Sequence, residues 1–111
     1  MNFYRDRVLN GELDVDRVFE SDSVIAFRHT RPSYPEHIVV IPKQEIDDFL
    51  SLDPASELAV ELLSALQTVA AKLMNECGKC RVITNLGDYQ DTKHLHWHVV
   101  SGDRPSAGGD A

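Results

Sequence analysis

The chain has little cysteine, no long apolar run and no cluster of basic residues. Two cysteines among 111 residues are too few for a disulfide framework, which favours a reducing compartment. No stretch approaches the roughly 18 apolar residues of a membrane-spanning helix. The opening residues, MNFYRDRVLNGELD, carry charge early and lack the apolar region of a secretory signal. These absences predict a cytoplasmic protein that does not enter membranes.

Acidic residues outnumber basic ones, and this balance limits the partners. Eleven Lys and Arg stand against 18 Asp and Glu, which gives a formal net charge of −7. Proteins bind nucleic acids largely by neutralising phosphates with basic side chains, and anionic membrane surfaces attract basic segments in the same way. We therefore expect neither a long nucleic acid nor a membrane as partner. With 42% hydrophobic and 26% charged residues, the composition is that of one ordinary globular domain.

Local patterns predict two helices and five strands. Asp53-Pro54 offers a favoured N-cap followed by a proline at the first helical position, and Gly78 offers a residue that ends the helix. Between them an apolar stripe recurs at helical spacing, formed by Leu58, Leu62, Leu66, Val69 and Leu73. A short helical segment is predicted over residues 3–12. Strands are predicted over residues 17–20, 24–28, 37–41, 81–85 and 93–101.

The order of these elements predicts an α+β fold. We expect a mainly antiparallel five-stranded sheet with the long helix packed on one face. The continuous apolar run of residues 38–41 is typical of a central strand, and Pro42 ends it. The domain is predicted to span residues 3–101, followed by a flexible tail of small and polar residues over 102–111.

Three of the five histidines alternate with apolar residues near the C-terminus. Successive side chains of a strand point to opposite faces, so His94, His96 and His98 are predicted to share one face. The residues between and after them would pack on the long helix from the other face, namely Leu95, Trp97 and Val99. Burying three imidazoles costs free energy unless their nitrogens find partners, and exposing them adds no stability. The pattern therefore indicates a functional site.

The imidazoles alone leave two kinds of chemistry open. Imidazole is a common ligand of zinc and copper. At about 3.3 Å rise per residue, however, the Cα atoms of His94 and His98 would lie roughly 13 Å apart, too far for all three rings to bind one ion without strong bending. A neutral imidazole is also a nucleophile at pH 7, and a row of imidazoles suits an extended phosphate-bearing ligand.

The segment HLHWHVV (94–100) resembles the His-x-His-x-His-x-x motif, with x hydrophobic, of the histidine triad (HIT) superfamily. The resemblance covers residues 3–101. It implies the HIT fold, with the long helices and a sheet edge of two chains forming a homodimer. Further segments resemble the family in the same order along the chain: SDSVIAF (21–27), Pro32, PEHIVVIPK (35–43), NLG (85–87) and Gln90.

The resemblance implies hydrolysis or transfer at the α-phosphate of a nucleotide, with no cofactor and, in most members, no metal. It makes His96 the nucleophile, which would form a covalent nucleotidyl intermediate that water resolves. His94 and His98 would contact phosphate oxygens and assist the leaving group. Under the same resemblance, Asn85 and Gln90 would form hydrogen bonds with ribose or phosphate. The base pocket would be lined by Phe27, Tyr4 and Val8.

Two further site positions depart from the family pattern. His29 stands where many members carry an Asp that grips the ribose hydroxyls, and imidazole cannot replace a doubly accepting carboxylate. Asp91 stands where many members carry Ser or Thr. Its carboxylate would repel an anionic ligand, raise the pKa of a triad histidine or recruit a divalent cation. His37 is expected to be structural or to support a site residue.

The remaining motif, Cys77-Gly78-Lys79-Cys80, is expected to have no redox or zinc role. Reactive thiols of this spacing usually sit at a helix N-terminus, whereas this pair follows a predicted C-terminus, and no second pair exists. The favoured function is a HIT-type enzyme acting on a nucleoside phosphoramidate, a nucleotidyl-adenylate or a dinucleoside polyphosphate. The alternatives are a nucleotide-binding regulatory module with little turnover and a histidine-rich metal-binding protein.

Overall fold

A computed structural model describes residues 2–11 and 13–103, and within them five strands pair in antiparallel fashion into one sheet. The spatial order is β1-β2-β3-β5-β4 once the strands are numbered along the chain. Because β5 is inserted between β3 and β4, the histidine motif leads into a central strand and β4 becomes an edge. The strands are β1 (Arg17–Glu20), β2 (Val24–Arg28), β3 (Glu36–Pro42), β4 (Arg81–Thr84) and β5 (Trp97–Ser101).

A single long helix, α1 (Glu57–Cys77), covers one face of this sheet. Its buried stripe is Leu62, Ala65, Leu66, Val69 and Leu73. The stripe packs against alternate residues of the strands, including Ala26, Val40, Trp97 and Val99, together with Leu95. Removing such side chains from water contributes roughly 1.5–3 kcal/mol each for the large aliphatic residues. The predicted α+β fold is confirmed, as is the contact of Leu95, Trp97 and Val99 with the helix.

The N-terminal segment covers the opposite face. It forms a short π-helix over Tyr4–Leu9, which ends before Gly11. Its buried side chains meet the other set of strand residues in a second apolar cluster. Since both faces are covered, the central strands are apolar on both sides, which explains the unbroken run at residues 38–41. The members of this second cluster are Tyr4, Val8, Val15, Ile25, Phe27, Val39 and Ile41.

The predicted start of the long helix is wrong by one turn. Ser56, not Asp53, is the N-cap, because its side-chain oxygen accepts the backbone N–H of Ala59 at 3.1 Å. Asp53 instead accepts the N–H of Ala55 in the preceding turn. Gly78 ends the helix as predicted, with φ of 78° and its N–H bonded to the Met74 carbonyl.

The last strand is also shorter than predicted. The sequence pattern indicated a strand over 93–101, but β5 begins at Trp97, so His94 and His96 lie in the segment that approaches it. Pro42 would face this segment in β3 and has no N–H to extend the ladder. The backbone N–H of Leu95 bonds instead to the carbonyl of Ile46, at 2.7 Å. The alternation nevertheless extends back to His94: Leu95 packs in the helix cluster with Trp97 and Val99, while the rings of His94 and His96 both lie beside Tyr4 on the opposite face.

The region predicted as a flexible tail is described only at its first two residues. Gly102 has φ of 88°, and a Cβ there would lie 2.7 Å from Cγ of Pro35. Only glycine fits this close approach. Residues 104–111 lie outside the described part of the chain. None of the described helices is both long enough and apolar enough to cross a membrane.

Candidate active site

A cavity of about 520 Å³ opens on the sheet face that the N-terminal segment partly covers. Three stretches of chain form its walls: the N-terminal segment, the loop between β2 and β3, and the loop between β4 and β5. The last two histidines of the motif belong to the lining. The full lining is Phe3, Tyr4, His29, Thr30, Arg31, Asn85, Tyr89, Asp91, Thr92, His96 and His98.

His96 presents an unprotonated nitrogen to this cavity. Its Nδ1 lies 2.7 Å from the backbone carbonyl oxygen of His94. A carbonyl oxygen only accepts hydrogen bonds, so Nδ1 carries the proton and Nε2 of the neutral ring carries a lone pair. Burial lowers the pKa of His96, which keeps the ring neutral at pH 7. The Tyr4 ring packs on it with centroids 4.9 Å apart.

His98 presents the opposite group, a ring N–H. The backbone N–H of Ser33 donates to Nδ1 of His37 at 3.0 Å, so neutral His37 is protonated at Nε2. That Nε2–H donates to Nδ1 of His98 at 2.8 Å, which leaves the proton of neutral His98 on Nε2. Burial, followed by the neighbouring histidines, lowers the pKa of His98 to about 3. The site thus pairs an acceptor on His96 with a donor on His98.

His94 lies beneath the cavity and is not part of its lining. The side chain is fully buried, and both ring nitrogens already have partners. Nε2–H donates to the carbonyl oxygen of Pro42 at 2.9 Å, and Nδ1 accepts from the side-chain amide of Asn2 at 3.0 Å. In this arrangement His94 positions its own carbonyl group, the acceptor that fixes the ring of His96.

The other predicted substrate-binding residues divide into two groups. Tyr4, His29, Asn85 and Asp91 line the cavity. The remaining three do not. Val8 and Phe27 are buried in the apolar cluster beneath the N-terminal segment, and Gln90 is buried with its amide donating to the Asp47 carbonyl at 2.8 Å.

Five lining residues were not predicted: Phe3, Thr30, Arg31, Tyr89 and Thr92. Each stands within two residues of a predicted site residue, and this proximity along the chain was the only available signal. Arg31 is the single cation among the lining residues. The two cysteines do not line the cavity. Both are free thiols, at the end of α1 and before β4.

One cluster among the described residues has the composition of a metal site. Ring nitrogens of His29, His37 and His98 lie within 4.8 Å of one another. Nδ1 of His29 accepts the backbone N–H of Arg31 at 2.9 Å, just as Nδ1 of His37 accepts that of Ser33. The opposite nitrogens of both neutral rings therefore carry protons. A metal-binding histidine usually coordinates through one nitrogen and donates an N–H from the other. In these two rings the second nitrogen accepts instead, so they favour hydrogen bonding over metal binding.

Comparison with known proteins agrees with the motif. The HIT domain family model matches residues 10–105. An uncharacterized HIT-like protein of Helicobacter pylori is 32% identical over 106 residues, which cover 94% of this chain and 99% of the relative. Adenylylsulfatase HINT1 of Arabidopsis thaliana is 32% identical, over 87% of this chain and 69% of the relative. A HIT family hydrolase from Legionella pneumophila superposes with a TM-score of 0.76 at 27% identity, over 94% and 96% of the two chains.

The fold and the cavity define an α+β domain in which histidines from a central strand and its approach meet beneath two loops. The chain belongs to the HIT family, which confirms the membership predicted from the histidine motif.

Replacing His94 with alanine is expected to lower the free energy of unfolding by about 3 kcal/mol. The change leaves a void in the core and removes the donor to the Pro42 carbonyl. Urea denaturation measures the loss. His29→Ala is the control, with an expected loss below about 1 kcal/mol, because that ring lies half-buried in a loop. Equal losses in the two variants would contradict the anchoring role of His94.

The stability of the protein is expected to fall as pH drops from 7 to 5. An unfolded histidine binds a proton near its ordinary pKa of 6.5, whereas folded His98 binds one only near 3. Between these values the unfolded state holds the extra proton, so acid favours unfolding by up to about 1.4 kcal/mol per pH unit for each such group. His98→Asn is expected to show a shallower slope in urea denaturation across this range. Parallel slopes for the two proteins would exclude His98 as the source.

Proposed function

We propose that the protein is a hydrolase or nucleotidyltransferase that acts at the α-phosphate of a nucleotide through His96. One observation carries the proposal: the bond from His96 to the His94 carbonyl leaves a lone pair on Nε2 at the cavity wall. A fixed tautomer with a lowered pKa is what nucleophilic catalysis by imidazole requires at neutral pH. The rings of His96 and His98 lie 5.0 Å apart, so donor and nucleophile can meet one phosphoryl group.

The reaction would take place in two steps. Nε2 of His96 bonds to phosphorus, and the bond to the leaving group breaks with its electron pair departing on that group. His98 donates its Nε2–H to a phosphoryl oxygen and stabilises the charge that builds there. Water then attacks the phosphorus of the nucleotidyl-histidine, the electron pair of the N–P bond returns to Nε2, and the proton that the water loses passes to solvent.

The remaining walls of the cavity also suit a nucleotide. Phe3 and Tyr4 supply aromatic faces for a base, and Asn85 supplies an amide for ribose or phosphate. The name of the Arabidopsis relative, adenylylsulfatase, supports a substrate that carries an adenylyl group. Nucleoside phosphoramidates, nucleotidyl-adenylates and dinucleoside polyphosphates are the proposed classes, turned over in the cytoplasm without a cofactor.

We also propose that the chain works as a homodimer. The outer surface of α1 exposes Val60, Leu63 and Met74, and the edge strand β4 exposes Val82, with Leu86 just beyond it. An unpaired strand edge beside exposed apolar side chains is a surface that a second copy would cover.

Asp91 supports a second candidate function, that of a nucleotide-binding module with little turnover. Its carboxylate lines the same cavity as the proposed nucleophile. The pKa of Tyr4 is raised by burial and, to a lesser extent, by the charge of this carboxylate. Because the Tyr4 ring packs on His96, the negative charge of Asp91 is felt on the side of the cavity where His96 lies. A negative charge there opposes an incoming phosphate.

His96→Ala is expected to reduce turnover of adenosine phosphoramidate and of a dinucleoside polyphosphate by at least about 10³-fold, because the nucleophile is lost. The assay runs with and without chelator, and mass spectrometry monitors an adenylylated wild-type enzyme. Cys77→Ser, outside the cavity, is the control and should keep full activity. Chelator-resistant turnover lost in His96→Ala supports the enzyme. Binding without turnover supports the module, and loss of activity with chelator supports a metal role.

Asp91→Ser is expected to raise kcat/KM for adenosine phosphoramidate by about 10-fold. The variant removes a carboxylate from the cavity wall, and one nearby charge at an effective dielectric of 20 is worth a few kcal/mol at most. Asp88→Ser is the matched control, because Asp88 is exposed close by in the chain but does not line the cavity. An unchanged or lower rate in Asp91→Ser would refute an inhibitory role for this carboxylate.

A further inference from the structure

Beyond the pair of histidines already described, one corner of the cavity presents two hydrogen-bond donor groups. It is formed by His29 and Arg31, which leave β2 together and line the cavity beside His98. The His29 and His98 rings lie 6.1 Å apart between centroids, with His37 stacked on His29 at 4.4 Å. This donor corner is therefore adjacent to the group proposed to bind the reacting phosphate.

His29 is held in its donor form. Its Nδ1 accepts the backbone N–H of Arg31 at 2.9 Å, so the proton of the neutral ring is on Nε2. The ring cannot offer a lone pair to a ligand unless it gives up that bond. An acceptor-rich group is the natural partner for Nε2–H.

Arg31 carries a charge that no carboxylate of the described residues neutralises. Three of the other described arginines form ion pairs: Arg5 with Asp6 and Glu45, Arg17 with Glu20, and Arg28 with Asp16 and Glu36. No ion pair involves Arg31 among residues 2–11 and 13–103. In a chain of net charge −7, an uncompensated guanidinium on a cavity wall favours an anion there.

We propose that His29 and Arg31 form a subsite for a second phosphoryl group of the ligand, next to the phosphate that meets His96 and His98. The proposal rests on the proposed function and narrows it to substrates with a phosphoanhydride chain. A single phosphate engages His96 and His98, which leaves the donors of the corner unused. A diphosphate extends from His98 toward His29 and Arg31 and satisfies both.

The test compares ligands that differ by one phosphoryl group. Isothermal titration calorimetry measures binding of AMP and of adenosine α,β-methylene diphosphate, which cannot be cleaved at its bridge, and of inorganic phosphate and pyrophosphate. Wild type is expected to bind each two-phosphate ligand about 10-fold more tightly than its one-phosphate counterpart. Arg31→Gln and His29→Phe, which keeps a ring on His37, should each bring this ratio close to one.

Arg81→Gln serves as the matched control, since Arg81 is exposed on β4 and does not line the cavity. A wild type without the preference, or a preference that survives both variants, overturns the subsite. Turnover dependent on His96 without that preference overturns the subsite alone, whereas pyrophosphate preference without nucleotide turnover supports it and refutes the enzyme. Tight binding of Zn²⁺ alone, lost in His29→Phe, overturns it in favour of a metal site.

Discussion

His96 donates its Nδ1 proton to the carbonyl oxygen of His94, and the chemistry of the cavity depends on this bond. In water the two neutral forms of imidazole exchange freely. Here the acceptor permits one form only, and Nε2 is left with its lone pair at the cavity wall. The acceptor is itself held in place, because the ring of His94 is anchored at Nε2 by Pro42 and at Nδ1 by Asn2. One buried residue thus positions its neighbour through its own backbone.

Burial is the second constraint on the protonation of these histidines. A buried imidazole resists protonation unless an anion accompanies it, so the fold keeps these rings neutral and each proton has a defined atom. Ser33 donates a hydrogen bond to His37, and His37 donates one to His98. These two bonds fix the proton of each ring, so His98 presents an N–H to the cavity. An acceptor and a donor then stand side by side, and both derive from hydrogen bonds made outside the cavity.

The net charge of −7 is compatible with a phosphate-bearing ligand because the charge is not uniform. The cavity lining contains three neutral imidazoles and one arginine that forms no ion pair with the described residues, against the single carboxylate of Asp91. Long nucleic acids need an extended basic surface, whereas one nucleotide needs a few directed donors. Under the proposed function, the polarity of the lining selects among phosphate compounds, and the proposed subsite of His29 and Arg31 sets the direction in which the phosphate chain extends.

The sequence by itself determined the architecture and singled out the histidines on which the proposed reaction depends. The alternation around Trp97, the apolar stripe of α1 and the glycine after it depend on local periodicity, which a single chain displays openly. It could not determine where β5 begins, because that depends on Pro42 and Ile46 from distant parts of the chain. For the same reason it placed His94 with the cavity residues, and it did not predict Arg31. Tautomers, burial and cavity walls arise from contacts between segments far apart in sequence, so only the tertiary structure decided which nitrogen of each histidine faces the ligand.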